Sequence, residues 1–306
     1  MDRHLFPTFD YNLDLTLDSG QAFRWEKTSD GWEGIVGRRW VRLQSVPHGI
    51  VAETMENPGD WIWLRDYLQL DVDLAQIQSS FPVDPHMQQA MLACKGLRLL
   101  RQDPWECLAS FILSSTKQIV QIKQIVANLC NCFGDRLVSP KGAKVWNSFP
   151  SVDCIARASE ADLRGCKMGF RAPNLKKAAE MIDRGEVDLA GVGAMDEDDA
   201  RETLVRLPGV GPKIANCVLL FAYGFPQAFP VDVWIARGLQ NLYFPRRRKK
   251  IPVLIKFARK YFGPNSGYAQ QYLFQYVRTG GRGRKAAQPI ENDTKMSGLT
   301  SAAEIP

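Results

Sequence analysis

Two residues of this chain, a lysine and an aspartate close together in sequence, make a set of parts for attack at a sugar carbon, with a cysteine nearby. Lys213 and Cys217 lie in LPGVGPKIANC, residues 207–217, and Asp232 lies in FPVDVW, residues 229–234. Lys213 falls in the first turn of a helical pattern that is apolar nearly all round, where the positive end of the helix dipole and buried surface both disfavour an ammonium. Its pKa is therefore expected to fall, releasing neutral amine near neutral pH, which is how a lysine becomes a nucleophile. Snorkelling outward to a phosphate is the other role open to it. Cys217, four residues on, shares its helical face; a small core thiol is its ordinary role. Asp232 opens the next helical pattern, so it is expected to cap a helix and stay ionised. A fixed carboxylate suits the stabilisation of a developing cation, such as a C1′ acquiring oxocarbenium character.

The elements that must position these groups follow from the flanking residues. EDDARETLVRL is amphipathic with acidic residues in its first turn; PGVGP turns the chain; Gly211 is expected as N-cap and Pro212 as first helical residue of PKIANCVLLFAY. The two glycines are free to take positive φ and turn their amides outward. The result is a helix-hairpin-helix whose amides and dipole suit one DNA phosphate, a grip that reads no base sequence. A bare G-x-G would fit any tight connection; L-P-G-V-G-x-K between two helical segments is more specific.

The remainder of the chain divides by hydrophobic period. FRWEKT, GWEGIVGRRWVRLQ and GIVAET alternate apolar and polar residues, predicting a short antiparallel sheet between about 10 and 55. Beyond PGDWIWLRDYL the spacing becomes helical to about 278. The predicted fold class is α+β: a β-rich domain over 1–85, a helical body over 86–278, and a polar, aperiodic tail over 279–306 in which only Arg282, Arg284 and Lys285 suggest nonspecific phosphate contact. RRRKK at 246–250 reads as a solvated loop between two helices.

The 39 Lys and Arg against 33 Asp and Glu give a net charge of +6, favouring an anionic partner. No apolar h-region or membrane-spanning stretch is evident, so a cytoplasmic or nuclear, monomeric protein is expected, with no membrane association. The seven cysteines form no CxxC, and the three histidines (4, 48 and 86) are scattered. A zinc site, a disulfide framework and a His-based triad are all disfavoured.

LPGVGPKIANC followed by FPVDVW resembles the helix-hairpin-helix (HhH-GPD) superfamily of DNA glycosylases, in its lysine-bearing bifunctional branch. No cysteine follows 217, which disfavours the iron–sulfur endonuclease III branch. SGQAFRW (19–25), DPWECLASFILSS, MGFRA and GYAQQYLF are similar to stretches of the 8-oxoguanine DNA glycosylase/AP lyases, and the similarity spreads over most of 10–278.

The resemblance implies that Lys213 attacks C1′ with Asp232 assisting. It implies that the Gly20 carbonyl accepts from the N7 hydrogen peculiar to the oxidised base, Gln270 bonds the Watson–Crick edge, Phe274 and Cys217 sandwich the ring, and Pro230 lines the same pocket. Normal guanine has only an acceptor at N7, so the Gly20 contact would become a repulsion. Thr116, Gln121, Arg171, Gly209, Gly211 and Trp234 are the implied DNA contacts. The pattern departs where animal members carry an asparagine run and then an arginine; here stand Thr116, Lys117, Gln118 and later Gln121. Trp234 replaces a phosphate-contacting histidine.

The expected partner is duplex DNA containing oxidised guanine, the expected chemistry is base excision through a Schiff base followed by β-elimination, and no metal or organic cofactor is required. Excision of another damaged purine and a noncatalytic helix-hairpin-helix DNA-binding module are the alternatives.

Overall fold

The computed structural model describes residues 1–140 and 144–280. The tail expected over 279–306 lies outside the described residues from 281 onward, Arg282, Arg284 and Lys285 included. Five strands, β1 (Asp2–Pro7), β2 (Trp25–Thr28), β3 (Gly31–Val36), β4 (Arg39–Val46) and β5 (Gly49–Thr54), form one antiparallel sheet in the order β1-β5-β4-β3-β2. The alternation expected between 10 and 55 is present, but the sheet begins earlier, at Asp2. Its β1 closes the far edge against β5, pairing Asp2 with Thr54 and Pro7 with Gly49.

LDLTL, at 13–17, alternates as a strand would yet forms a helix. Asn12 caps it, accepting from the Leu15 amide at 2.9 Å, and Leu13, Leu15 and Leu17 are all buried. With Leu13, Leu15, Thr16 and Leu17 all buried, the apolar pattern no longer distinguishes the two structures.

Eight helices of the body frame the functional residues: α1 (Pro104–Leu113), α2 (Ile119–Phe133), α3 (Ala172–Asp183), α4 (Glu197–Val205), α5 (Pro212–Val218), α6 (Val233–Tyr243), α7 (Ile251–Tyr261) and α8 (Ser266–Arg278). Three of them start where an aspartate side chain satisfies free amides of the first turn. Asp103, Asp196 and Asp232 cap α1, α4 and α6, and prolines open α1 and α5.

Two main cores result. One, under the sheet, is built from Leu13, Leu17, Trp25, Trp32, Leu43, Leu64 and Leu68; the larger lies among the helices and centres on α1 and α5. The chain crosses between them repeatedly: Leu74 and Phe81 belong to the helical core, and Leu100 returns to the sheet core. Arg24 fastens the two together. Its guanidinium pairs with Glu106 of α1 at 3.1 Å and donates to the Asn147 carbonyl. Burial raises the Glu106 carboxyl above its ordinary range against the opposing pull of Arg24.

Candidate active site

The hairpin forms as its sequence requires, with one correction. Gly209 takes φ +81 and is exposed, but Gly211 sits at φ −96, so a single left-handed residue makes the turn. Gly211 serves as the N-cap of α5 through its backbone, its carbonyl accepting from the Ala215 amide at 3.0 Å. Pro212 then occupies the first helical position and Lys213 the second.

Lys213 is half-buried. Its Nζ lies 5.2 Å from the centroid of the Phe111 ring and donates to Ser114 Oγ at 3.4 Å, and no carboxylate stands within 4.0 Å of it among the described residues. Asp232 caps α6 with Oδ1 accepting the Ile235 amide at 2.8 Å. Both charges reach Cys217: burial pushes its thiol up to about 11, with Lys213 pulling it down and Asp232 pushing it further up. The thiol is therefore neutral at physiological pH and presents a soft, apolar face.

A cavity of about 50 Å³ is lined by Lys213, Asp232, Gly20, Cys217, Pro230, Gln270 and Phe274, together with Phe111, Phe221 and Gln271. Every catalytic and base-binding residue expected from the sequence thus faces one space. A larger depression, of about 320 Å³, lies between α2, β2 and residues 144–147. None of those catalytic or base-binding residues lines it, so the small cavity is where the chemistry has its parts.

Gly20 reaches the cavity in the left-handed region, φ +78, and a Cβ there would stand 2.7 Å from Ile119 Cδ1. Its loop is held rigidly from below. Fully buried Gln21 donates to the carbonyls of Thr16 at 3.0 Å and Arg98 at 2.8 Å and accepts the Leu100 amide at 2.8 Å. Gln102 donates to the Gln21 carbonyl at 2.7 Å, and Gln271 donates to the Ser19 carbonyl at 3.2 Å. On α8, Gln270 is buried while its Oε1 has no hydrogen-bond partner, a costly condition for an acceptor out of water.

The implied DNA contacts are distributed differently. Trp234 is 45% exposed on the first turn of α6, and Gln121 is exposed on α2, where its Oε1 accepts the Gln118 amide at 3.2 Å. Arg171 is only 3% exposed: it donates to Thr116 Oγ1 at 2.7 Å and to the Ser115 carbonyl, and burial lowers its pKa. Thr116 itself is exposed at φ +58.

Phe111, Ser114, Phe221, Gln21 and Gln271 were not singled out by the sequence, because apolar and amide residues inside buried helices and loops carry no separate signal. Phe170 was also missed; it is 62% exposed, with the Arg171 guanidinium 4.2 Å from its ring centroid. Among the described residues no group of three His, Cys, Asp or Glu could hold a metal, and no helix is long and apolar enough to cross a membrane.

Two family models account for most of the chain. Residues 5–108 match the 8-oxoguanine DNA glycosylase N-terminal domain, and residues 109–262 match the HhH-GPD superfamily of base excision DNA repair proteins. The chain belongs to the 8-oxoguanine DNA glycosylases of the HhH-GPD superfamily. Relatives within that group include the N-glycosylase/DNA lyase of Saccharomyces cerevisiae, 32% identical over 84% of this chain and 81% of that protein. A probable N-glycosylase/DNA lyase of Methanothermobacter thermautotrophicus is 28% identical over 90% of this chain and 96% of its own length. The same HhH-GPD architecture occurs in the Clostridium acetobutylicum 8-oxoguanine glycosylase/lyase, solved with double-stranded DNA containing cytosine opposite 8-oxoguanine. That structure superposes with a TM-score of 0.84 at 31% identity, covering 90% of this chain and 98% of the other.

Proposed function

We propose that this protein excises 8-oxoguanine from duplex DNA as a bifunctional glycosylase and lyase, with Lys213 as nucleophile. The observation that carries the reading is the convergence of an amine without a carboxylate partner, a fixed carboxylate and the unpaired Gln270 oxygen on one cavity. The cavity holds about 50 Å³, and Phe274 and Cys217 are among the side chains that an entering base would meet there. Extrusion costs a few kcal/mol of unstacking.

In the first step Lys213 Nζ bonds to C1′ and the base leaves with the electrons of the glycosidic bond, while the Asp232 carboxylate offsets positive charge developing on the sugar. Opening of the sugar ring gives the Schiff base, and loss of a 2′ proton then expels the 3′ phosphate and nicks the strand. Gln270 supplies an acceptor to the Watson–Crick edge, and the Gly20 carbonyl accepts from the N7 hydrogen of the oxidised base. Normal guanine would set two acceptors against each other there.

Borohydride trapping on a duplex with one 8-oxoguanine tests the assignment. Wild type should give a covalent protein–DNA adduct and a nicked strand, and Lys213→Gln should give neither. An adduct at wild-type yield from the variant would place the nucleophile elsewhere. Excision of a different purine lesion in preference to 8-oxoguanine would favour the alternative substrate reading.

A further inference from the structure

The net positive charge of the molecule is concentrated in one segment. Residues 246–260, RRRKKIPVLIKFARK, hold eight of the 39 Lys and Arg residues and no Asp or Glu. The other 31 basic residues face 33 acidic ones, so the rest of the chain carries −2 and this segment carries +8.

The segment is built rather than merely solvated. One side chain at the end of α6, Gln240, ties the loop 244–250 down: its Nε2 donates to the carbonyls of Phe244 and, at 3.1 Å, Arg247, while its Oε1 accepts the Lys249 amide at 2.7 Å. Arg246, Arg247 and Arg248 are exposed from that fixed backbone. Helix α7 extends the surface, with Lys256 and Lys260 bordering a shallow groove beside Pro252 and Ile255. Arg259 is neutralised by Glu197 of α4 at 3.1 Å. Among the described residues none of the other seven cations has a carboxylate within 4.0 Å. Seven like charges held together without counterions repel one another, and a polyanion relieves that repulsion.

We propose that the loop 246–250 with Lys256 and Lys260 forms a second, lesion-independent contact surface for duplex DNA. Its position relative to the cavity favours DNA over other polyanions. Asp232 caps one end of α6 and the basic loop leaves the other, and 11 residues of helix span about 16 Å. That distance matches the axial rise of roughly five base-pair steps of a duplex. A duplex delivering a nucleotide to the cavity therefore has backbone within reach of the loop, clear of the extruded base. The inference needs only that the protein binds duplex DNA, and not that 8-oxoguanine is what it excises.

The test compares wild type with Arg246→Gln/Arg247→Gln/Arg248→Gln by fluorescence anisotropy over a salt series, on lesion-free duplex and on two lesion duplexes. In these the lesion stands about three base pairs from one end or from the other, in about 20 base pairs. On lesion-free DNA the variant should show a log–log salt slope smaller by roughly 2 to 3, about 0.9 for each phosphate contact removed. It should bind the lesion duplex whose long arm faces the loop at least about 10-fold more weakly, and the opposite duplex as wild type does. Excision from that opposite duplex at the wild-type rate shows that the fold is intact. Lys256→Gln/Lys260→Gln should repeat the pattern from the helix side. An unchanged salt slope, equal losses on the two lesion duplexes, or weakened binding to single-stranded RNA alone would each overturn the proposal.

Discussion

At the scale of single residues, the cap that Asp232 makes and the electrostatic role proposed for it can be separated by substitution. As a cap it needs only an oxygen that accepts the Ile235 amide; as an electrostatic partner it needs its charge. Asparagine caps about as well as aspartate. Asp232→Asn should therefore keep its melting temperature and its affinity for a lesion duplex, while single-turnover excision falls by about 100-fold or more. Asp232→Ala should lose a further ~1 kcal/mol of stability, read by urea denaturation. Excision by the Asn variant at the wild-type rate would leave Asp232 a structural cap alone. The lysine could be singled out in the sequence because a cation in the first turn of an apolar helix is placed against preference. Its neighbours Phe111 and Ser114 could not, since a phenylalanine in α1 and the serine that follows its last turn are ordinary core residues until α5 packs across them.

At the scale of elements, the hairpin turns on one glycine. Gly209 at φ +81 has Asn174 of α3 at its back, where an added Cβ would stand 3.0 Å from the Asn174 Cβ. Gly209→Ala combines left-handed strain with that close contact, and should cost roughly 1–2 kcal/mol of stability. It should weaken binding to undamaged duplex, because the amides leave their set positions. Gly211→Ala is the control: its φ is negative and an added Cβ would meet nothing within 4 Å. Equal losses from the two substitutions, measured by denaturation and by anisotropy, would mean that the turn geometry is not what matters. Helix α8 shows what spacing alone cannot decide. The i, i+4 relation of Gln270 and Phe274 puts them on one face, but whether that face meets solvent, core or a cavity depends on the Ser19–Gln21 loop arriving from the sheet domain.

At the scale of the whole molecule, the site exists because two cores are held in register. Arg24, leading into β2, and Glu106, on α1, form the buried tie, with Asn147 as a third member. Arg24→Met removes one partner and strands the other, so stability should drop by about 3 kcal/mol in urea denaturation. Excision should fall too, since Gly20, four residues before Arg24, lines the cavity together with Lys213. A loss below ~1 kcal/mol would show that packing alone aligns the domains. The sequence by itself determined the α+β class, the strand and helix periods, the hairpin, the Asp232 cap and the place of Lys213 in the first turn of an apolar helix. Each of these rests on interactions within a few residues or on a repeating pattern, and so is written locally. Tertiary structure alone decided that Gly20 and Gln270 face the same cavity, that Arg171 folds back onto Thr116, and that LDLTL is a helix. Those facts depend on contacts between segments far apart in the chain, where burial and unpaired polar atoms, rather than local preference, set the outcome.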